Sequence, residues 1–193
     1  MSAFSDLVKV DMNGRIYLNN WIEWIHPPIP FYGRVKEHKG KRLLMFRHCP
    51  SCLALDGCFL LKGNMPPLPL HPHCDCKIKN IEYSLVIKKT KAECKIEKFT
   101  KYIFTNNEQS KGKNVIFENL GYNISDSEYL KEEFCRQALE NYLSGNYELK
   151  NVNGDGQRLA IPIRLKNKRF YSGWILYPEG KIALTTPFGG WRI

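Results

Sequence analysis

The chain has 193 residues, of which 43% are hydrophobic and 25% charged, a balance that is ordinary for one or two small globular domains. No apolar run reaches the roughly 18 residues that a membrane-spanning helix needs, which excludes an integral membrane protein of the helical class. The 29 Lys and Arg residues outnumber the 19 Asp and Glu residues and give a net charge of +10. This excess favours a polyanionic partner, nucleic acid first, although a compositional preference for lysine would produce it too.

The first 48 residues predict short strands joined by turns. Residues 7–12 alternate between apolar and polar side chains, and the turn sequence Asn13-Gly14 follows them, so we expect an opening β-hairpin. The aromatic segment that contains Trp21 and Trp24 comes next, and burial is the expected state of these rings, with base stacking as the alternative. Residues 34–42 form a basic turn, which is either a phosphate-binding edge or a solvated turn.

Cysteine and histidine residues are concentrated in the middle of the first half. Cys49 and Cys52 form a Cys-x-x-Cys pair, and a second group begins at His71 about twenty residues later. Zinc takes four thiolate or imidazole ligands in a tetrahedron, and a Cys-x-x-Cys pair supplies two of them from one tight turn. We therefore predict a Zn²⁺ site formed by Cys49, Cys52, Cys74 and Cys76, with His71 as the substitute if one of these faces away.

Disulfides and plain buried thiols are the alternatives for these cysteines. The sequence opens Met1-Ser2-Ala3-Phe4, without the basic and apolar segments of a signal peptide, so we expect a cytoplasmic protein in which disulfides do not persist. Seven cysteines is also an odd number. Cys58, Cys94 and Cys135 lack a partner at ligand spacing, and we expect them to be buried thiols rather than ligands.

Three short motifs occur in a fixed order in this segment. They are the Cys-x-x-Cys pair with Asp56-Gly57, the dipeptide Pro66-Pro67, and a His-Pro-x-Cys-x-Cys run that ends at Cys76. Together they resemble the C-terminal cysteine motif of the Mu F-like phage minor head (head morphogenesis) proteins. The resemblance covers residues 42–80, and it implies a phage- or prophage-derived metal-binding segment that is reused for another purpose.

The sequence changes character after the cysteine-rich segment. Residues 78–87 alternate as a strand would, and the basic run at residues 88–91 then interrupts the pattern. We therefore predict a zinc-binding β-rich module at residues 1–90 and an α+β domain at residues 97–193. The second unit has enough apolar residues for its own core, so we expect it to fold alone and to survive removal of the metal.

The first helix of the second half is predicted to begin near Gln109. It carries Val115, Ile116 and Leu120 as its apolar residues and ends at Gly121. Glycine is the residue that most often follows a helix in the left-handed conformation, which makes Gly121 a natural C-terminal cap.

A second helix and four strands complete the predicted domain. The helix has capping-box spacing from Ser125 to Glu128, apolar residues at four-residue steps from Leu130 to Tyr142, and a stop at Gly145. The strands are predicted at residues 147–152, 158–165, 170–177 and 181–186. Because the connections between them are short, they predict an antiparallel meander. The fold class is therefore α+β, with a small zinc-stabilised β-rich module followed by two helices on a four-stranded meander.

The second half also carries a resemblance. Its residues are Lys101-Tyr102-Ile103-Phe104, the Lys111-Gly112-Lys113 turn, Gly173-Trp174, and Thr185-Thr186-Pro187-Phe188. The pattern is similar to a small uncharacterised domain family found at the C-terminal ends of bacterial polymorphic toxins and on phage-derived proteins. The order of helices and then an antiparallel sheet is also similar to the barnase, EndoU and RelE group of metal-independent ribonucleases, an analogy of fold that does not transfer chemistry by itself.

Two functions follow as hypotheses. The first is a phage-related zinc-binding protein whose basic surface binds nucleic acid or a protein partner without catalysis. The second is a toxin-like ribonuclease that cleaves RNA through the 2′-hydroxyl, for which the resemblance to toxins implies a small acidic immunity protein as a further partner.

The ribonuclease hypothesis needs a base, an acid and cations on the phosphate. No histidine follows His73, so a pair of histidines is excluded as the catalytic machinery of the second half. The remaining candidates are lysines and arginines that stabilise developing charge and a tyrosine, lysine or threonine that handles a proton or the phosphate, namely Lys101, Lys111, Lys113, Arg158, Arg164, Tyr171 and Thr185. Each cation in this set could equally be a solvated surface residue.

Overall fold

The structure is a computed structural model that describes most of the chain. The described residues are 8–10, 16–18, 21–27, 34–38, 41–45, 49–72, 74–105 and 112–191, with only the strand backbone described in 8–10, 16–18, 34–38 and 41–45. The predicted turn at Asn13-Gly14, the predicted helix start at Gln109 and the candidate catalytic residue Lys111 lie outside these ranges.

Short antiparallel strands and two short helices build the described part of the first half. Two of the sheets are two-stranded hairpins and the third has the order β6-β3-β7. The elements are β1 (Val8–Val10), β2 (Ile16–Leu18), β3 (Trp21–Ile25), β4 (Arg34–His38), β5 (Lys41–Met45), α1 (Pro50–Leu55), β6 (Phe59–Leu61) and β7 (Lys77–Asn80). The pairing of β1 with β2 agrees with the predicted opening hairpin. Trp21 and Trp24 on β3 are buried, as predicted for core side chains.

The prediction of one strand over residues 78–87 is wrong. Only β7 is extended there, and a helix, α2 (Tyr83–Lys89), follows it. Because the apolar residues of this helix are adjacent in sequence, their pattern fits a strand as well as a helix. Val86 is fully buried, whereas Leu85 and Ile87 on either side of it are 39% and 49% exposed.

A five-stranded sheet with helices packed on it forms the second half. Its order is β8-β12-β11-β10-β9, antiparallel throughout except that β8 runs parallel to β12. The elements are β8 (Lys91–Glu93), a π-helical segment (Lys98–Ile103), α3 (Lys113–Asn119), α4 (Ser127–Leu143), β9 (Glu148–Asn153), β10 (Gly156–Leu165), β11 (Lys168–Leu176) and β12 (Lys181–Trp191). The predicted α+β class and the four-stranded meander are confirmed. None of the helices described is both long enough and apolar enough to cross a bilayer.

Helix α3 is followed by Gly121 as its C-terminal cap, as predicted. Gly121 has φ +76°, and its N–H donates to the Glu118 carbonyl at 2.7 Å. The Tyr122 N–H donates to the Phe117 carbonyl at 3.0 Å, which completes a Schellman motif. Of the predicted apolar residues, Ile116 and Leu120 pack against the core and Val115 is 49% exposed, while Phe117 is the fully buried residue of the helix.

The predicted capping box of α4 is replaced by one on a short 3₁₀ turn (Ile124–Asp126) that precedes the helix. The Asn123 side chain accepts from the Ser125 N–H at 2.8 Å, and the Asp126 carboxylate accepts from the Asn123 N–H at 2.8 Å. Asn123 therefore caps the 3₁₀ turn, and Asp126, which precedes α4 itself, makes no side-chain capping bond. The apolar face from Leu130 to Tyr142 is buried, as predicted.

The two halves share one hydrophobic core. The Tyr142 ring on α4 packs edge-on against Trp21 of β3, with centroids 5.3 Å apart, and its hydroxyl donates to the Phe59 carbonyl of β6. The Asn64 side-chain amide donates to the Tyr147 carbonyl at 2.8 Å. The expectation of a separate core in residues 97–193 is therefore corrected, because the aromatic end of α4 is buried by the first half. The assignment of the two modules themselves stays a prediction.

We expect Tyr142→Ala to destabilise the whole chain in one transition. Loss of a fully buried ring that contacts both halves costs about 3–5 kcal/mol of unfolding free energy. The matched control is Tyr129→Ala on the same helix, where the side chain is 54% exposed and the cost is under about 1 kcal/mol. Thermal unfolding followed by far-UV circular dichroism and by tryptophan emission measures both values. Two separated transitions in the wild-type protein would contradict the shared core.

Candidate metal centre

Five cysteine and histidine side chains converge in the first half of the chain. The ligand atoms of Cys49, Cys52 and His71 lie within 4.8 Å of one another, and so do those of Cys52, Cys74 and Cys76. Cys52 belongs to both groups and is therefore the centre of the cluster. The structure brings together all four predicted ligands and the predicted substitute.

The start of α1 presents the first two cysteines. Cys49 is the residue just before the helix, Pro50 occupies its first position, and Cys52 lies in its first turn. Proline is well suited to this position because its missing N–H would have no partner there. Leu55 at the other end of α1 is fully buried, so the helix is anchored to the core and holds Cys49 and Cys52 at one end.

A turn and a strand present the remaining donors. The Cys74 N–H donates to the His71 carbonyl at 3.2 Å, which folds this segment back on itself. Immediately after Cys76 the chain enters β7, which pairs with β3 through Lys77 and Ile25. The second group of donors is thus attached to the same sheet that holds the buried tryptophans.

The distances within the cluster fit a tetrahedral site of thiolates. The Cys52 and Cys74 sulfurs are 3.8 Å apart. Two sulfurs at about 2.3 Å from a tetrahedral zinc are also separated by about 3.8 Å. The His71 Nε2 atom lies 3.0 Å from the Cys52 sulfur, which is a hydrogen-bond distance and shorter than the roughly 3.6 Å expected between two ligands of this kind.

His71 nevertheless has the orientation of a metal-binding histidine. Its Nδ1–H donates to the Pro72 carbonyl at 2.8 Å, and this bond raises the pKa of the imidazole above its usual range. Ligating histidines commonly donate their second nitrogen to a carbonyl or carboxylate, which leaves the other nitrogen free to bind the metal. Nε2 of His71 is therefore the nitrogen turned toward Cys52.

The thiols of the cluster differ in their readiness to ionise. Burial opposes ionisation of Cys49, but backbone N–H groups of Cys52 and Ser51 outweigh it and lower the pKa. Burial and the neighbouring sulfurs raise the pKa of Cys52, whereas backbone N–H groups overcome burial at Cys74 and lower its pKa to about 7. Several thiolates this close together repel one another, and a bound cation would stabilise them.

The buried Trp24 indole borders the cluster. The indole nitrogen is buried and has no nitrogen or oxygen hydrogen-bond partner among the described residues. It faces the Cys76 sulfur. Burial raises the pKa of Cys76, and the indole N–H acts in the opposite direction. An N–H group directed at a ligating sulfur is a typical outer-shell interaction of a metal centre.

The other three cysteines lie outside the cluster. Cys58 is fully buried, donates to the Ala54 carbonyl at 3.5 Å, and has a pKa raised to about 12 by burial, so it is a buried thiol as predicted. Cys94 and Cys135 are half-buried and hydrogen-bonded to each other, which raises the pKa of Cys94 and lowers that of Cys135. Their pairing was missed because about forty residues separate them.

A second polar cluster lies in the C-terminal half and includes two of the predicted catalytic residues. The Lys113 ammonium donates to the Tyr102 hydroxyl at 2.7 Å and to the Thr186 hydroxyl at 3.2 Å. The Lys98 ammonium donates to the Thr185 carbonyl at 2.8 Å. We name these five residues the Lys113 cluster.

The Lys113 cluster changes the chemistry of its tyrosine. Burial alone would raise the pKa of Tyr102, but the hydrogen bonds from Lys113 and Thr186 and the nearby charge of Lys98 lower it below the usual value. Sequence reasoning missed Lys98, Tyr102 and Thr186. The four-residue spacing of Lys98 and Tyr102 on one helical segment was the available signal.

The remaining predicted catalytic residues lie elsewhere on the second half. Arg158 and Arg164 are exposed on β10, and Lys101 is exposed on the π-helical segment. The Tyr171 hydroxyl donates to a carboxylate on β9 at 2.6 Å. Three of these four positions are therefore exposed cations, and the fourth is a tyrosine hydrogen-bonded to a carboxylate.

Comparison with known proteins identifies no relative of this chain. No protein-family model, no curated protein and no solved structure matches the chain. What the structure itself shows is a cluster of cysteine and histidine side chains within metal-binding distance.

Proposed function

We propose that this chain is a phage-related zinc-binding protein in which the cysteine and histidine cluster holds one structural Zn²⁺ and the basic surface binds nucleic acid without catalysis. The convergence of three cysteines and one histidine on Cys52 is the single observation that carries the proposal. A protein partner for the basic surface is the alternative.

The donor set supports zinc. Soft thiolates together with an imidazole favour zinc over calcium, magnesium or manganese, which prefer oxygen ligands. Four cysteines, or three cysteines with His71, would complete the four-coordinate shell of a structural site. Such a site has no open position for a substrate, so we assign the metal a structural role.

The position of the cluster also supports a structural role. Helix α1, which carries Cys52, packs against β9 and β10 of the second half. Gly154, next to β9, lies so close that a Cβ atom there would be 3.4 Å from Pro50. The metal would therefore fasten the segment from His71 to Cys76 to the helix that packs on the sheet of the second half.

Charge supports nucleic acid as the partner. The chain carries +10, and the half-buried Lys98 and Lys113 both donate to the middle of β12, at Thr185 and Thr186. Lysine ammonium groups and hydroxyls are the usual donors to nucleic-acid phosphates. Binding of this kind weakens steeply as the salt concentration rises, because bound cations are released from the nucleic acid.

We expect the purified protein to contain one zinc per chain, and Cys52→Ser to lose it. Cys52 is the donor that joins the two groups, so replacing its sulfur leaves only two separate pairs, Cys49 with His71 and Cys74 with Cys76. Cys135→Ser, a thiol outside the cluster, is the matched control and should retain full metal. Elemental analysis of both variants, with unfolding temperature measured in parallel, gives the answer. Equal zinc in the two variants would overturn the metal centre.

Single substitutions of the donors around Cys52 identify which four of the five act as ligands. We expect Cys49→Ser, Cys74→Ser and Cys76→Ser each to lower zinc affinity by a factor of about ten or more, and His71→Ala to lower it less. The reason is the 3.0 Å separation of His71 Nε2 from the Cys52 sulfur, which suits a hydrogen bond better than two ligands. Competition with a chromophoric chelator measures the affinities. A larger loss in His71→Ala than in Cys49→Ser would make His71 the fourth ligand.

The Lys113 cluster favours a second candidate function, the toxin-like metal-independent ribonuclease. A tyrosine whose pKa is lowered by two lysines suits transfer of the proton from a 2′-hydroxyl, and Lys113 with Thr186 suits stabilisation of charge on the phosphate. Deprotonation of Tyr102 increases with pH, so cleavage that uses it as a base would also increase with pH.

Tyr102→Phe separates the enzyme from the binding protein. If the chain cleaves RNA, this variant should cleave at least about 100-fold more slowly, because it loses the proton-transferring group and keeps the ring. Tyr129→Phe removes a hydroxyl from an exposed tyrosine and is the control. Zinc-loaded protein is incubated with RNA in the absence of free divalent cations, and the products are separated on a gel. Equal cleavage by the two variants would exclude Tyr102 as a catalytic residue.

A further inference from the structure

Trp191 differs from the other three tryptophans of the chain in its exposure. Trp21, Trp24 and Trp174 are between 0% and 2% exposed, whereas Trp191 at the end of β12 is 51% exposed. Exposed large aromatic residues are costly to leave in water, so their position relative to charged groups is informative.

The exposed ring is held in place by other aromatic side chains. Trp191 makes edge-on contacts with Phe188 at 5.1 Å and with Phe170 at 6.3 Å between ring centroids. Phe170 in turn packs against Phe117 of α3 in the core. A continuous series of rings therefore runs from the core to the surface and fixes the orientation of Trp191 before any ligand arrives.

About half of the Trp191 side chain is accessible in the described residues. The preceding residue, Gly190, has φ +136° and carries no side chain that could pack beside the ring. Part of the indole is therefore available to a flat ligand.

Trp191 is connected to the Lys113 cluster by direct contacts. The Thr186 hydroxyl donates to the Phe188 carbonyl at 3.2 Å and accepts from the Lys113 ammonium at 3.2 Å. Phe188 is the ring that contacts Trp191. The strand β12 thus presents an exposed indole at its end and, two contacts away near its middle, a pair of lysines and a threonine hydroxyl.

From this arrangement we infer that the ligand of the basic surface is single-stranded nucleic acid, with one unpaired base stacked on Trp191 and an adjoining phosphate at the Lys113 cluster. The inference rests on the proposed function and specifies its ligand. Aromatic side chains in a positive environment are the usual platform for single-stranded chains, because a base can stack only where it is not already paired. Double-stranded nucleic acid and simple polyanions offer the charge without an available base.

A comparable aromatic residue provides the control. Tyr129 on α4 is 54% exposed, nearly the same as Trp191, and it lies beside the ion pairs that Arg136 makes with Glu133 and Glu140. Arg164 and Lys166 line the same pocket, and the two glutamates offset only part of the positive charge there, so this site is less positive than a pair of lysines without carboxylates. If exposure alone were sufficient, Tyr129 would bind bases as well as Trp191 does.

The test uses the full chain and a short oligothymidylate, with the same sequence annealed to its complement and inorganic polyphosphate as comparison ligands. We expect the single strand to quench the fraction of tryptophan emission that comes from Trp191, since the other three indoles are buried. Trp191→Ala should bind the single strand about 5- to 100-fold more weakly, Trp191→Phe should lose less, and Tyr129→Ala should be unchanged.

The outcomes separate this inference from the proposed function. If the wild-type protein binds none of the three ligands, both are overturned. If it binds the single strand with the same affinity as Trp191→Ala does, or if polyphosphate or duplex quenches the emission equally, base stacking is overturned and the basic surface remains a charge-driven site. Unchanged unfolding temperatures of the variants establish that a loss of binding is local.

Discussion

Four donor groups around a single buried sulfur, that of Cys52, set the main constraint on this molecule. Cys52 is 2% exposed and has sulfur or nitrogen donors on both sides, one of them only 3.0 Å away. Without a cation, such a cluster must keep protons on some of its thiols and remains a weak contact between loops. With zinc bound, the same groups would form coordinate bonds that hold the module together. These bonds would stabilise a module of short strands that buries too little hydrophobic area by itself.

Because the two halves share one core, a metal bound at this cluster would also affect the stability of the second half. Tyr142 reaches from α4 to Trp21 and to the Phe59 carbonyl, so the strands that flank the metal cluster also bury the end of the longest helix. Release of the metal would expose part of this surface. The polar Lys113 cluster and Trp191 lie on the sheet of the same unit, which places a stable scaffold under the proposed ligand-binding surface.

Local patterns predicted the elements better than they predicted contacts between them. The Cys-x-x-Cys spacing and the apolar period of α4 each encode geometry within a few residues, and both predictions hold. The sequence does not predict the partners of Lys113, because Tyr102 and Thr186 approach it only through tertiary packing. The adjacent apolar residues around Val86 fit either a strand or a helix. The chain forms a helix there, in which Val86 is buried. The resemblances to phage and toxin families stay predictions.

X-ray absorption at the zinc edge of the protein as purified tests the central claim most directly, because it reports the atoms bound to the metal. The account predicts a four-coordinate zinc with at least three sulfur neighbours at about 2.3 Å and no more than one nitrogen at about 2.0 Å. A protein that contains no zinc, or a zinc surrounded by oxygen and nitrogen atoms, would contradict it.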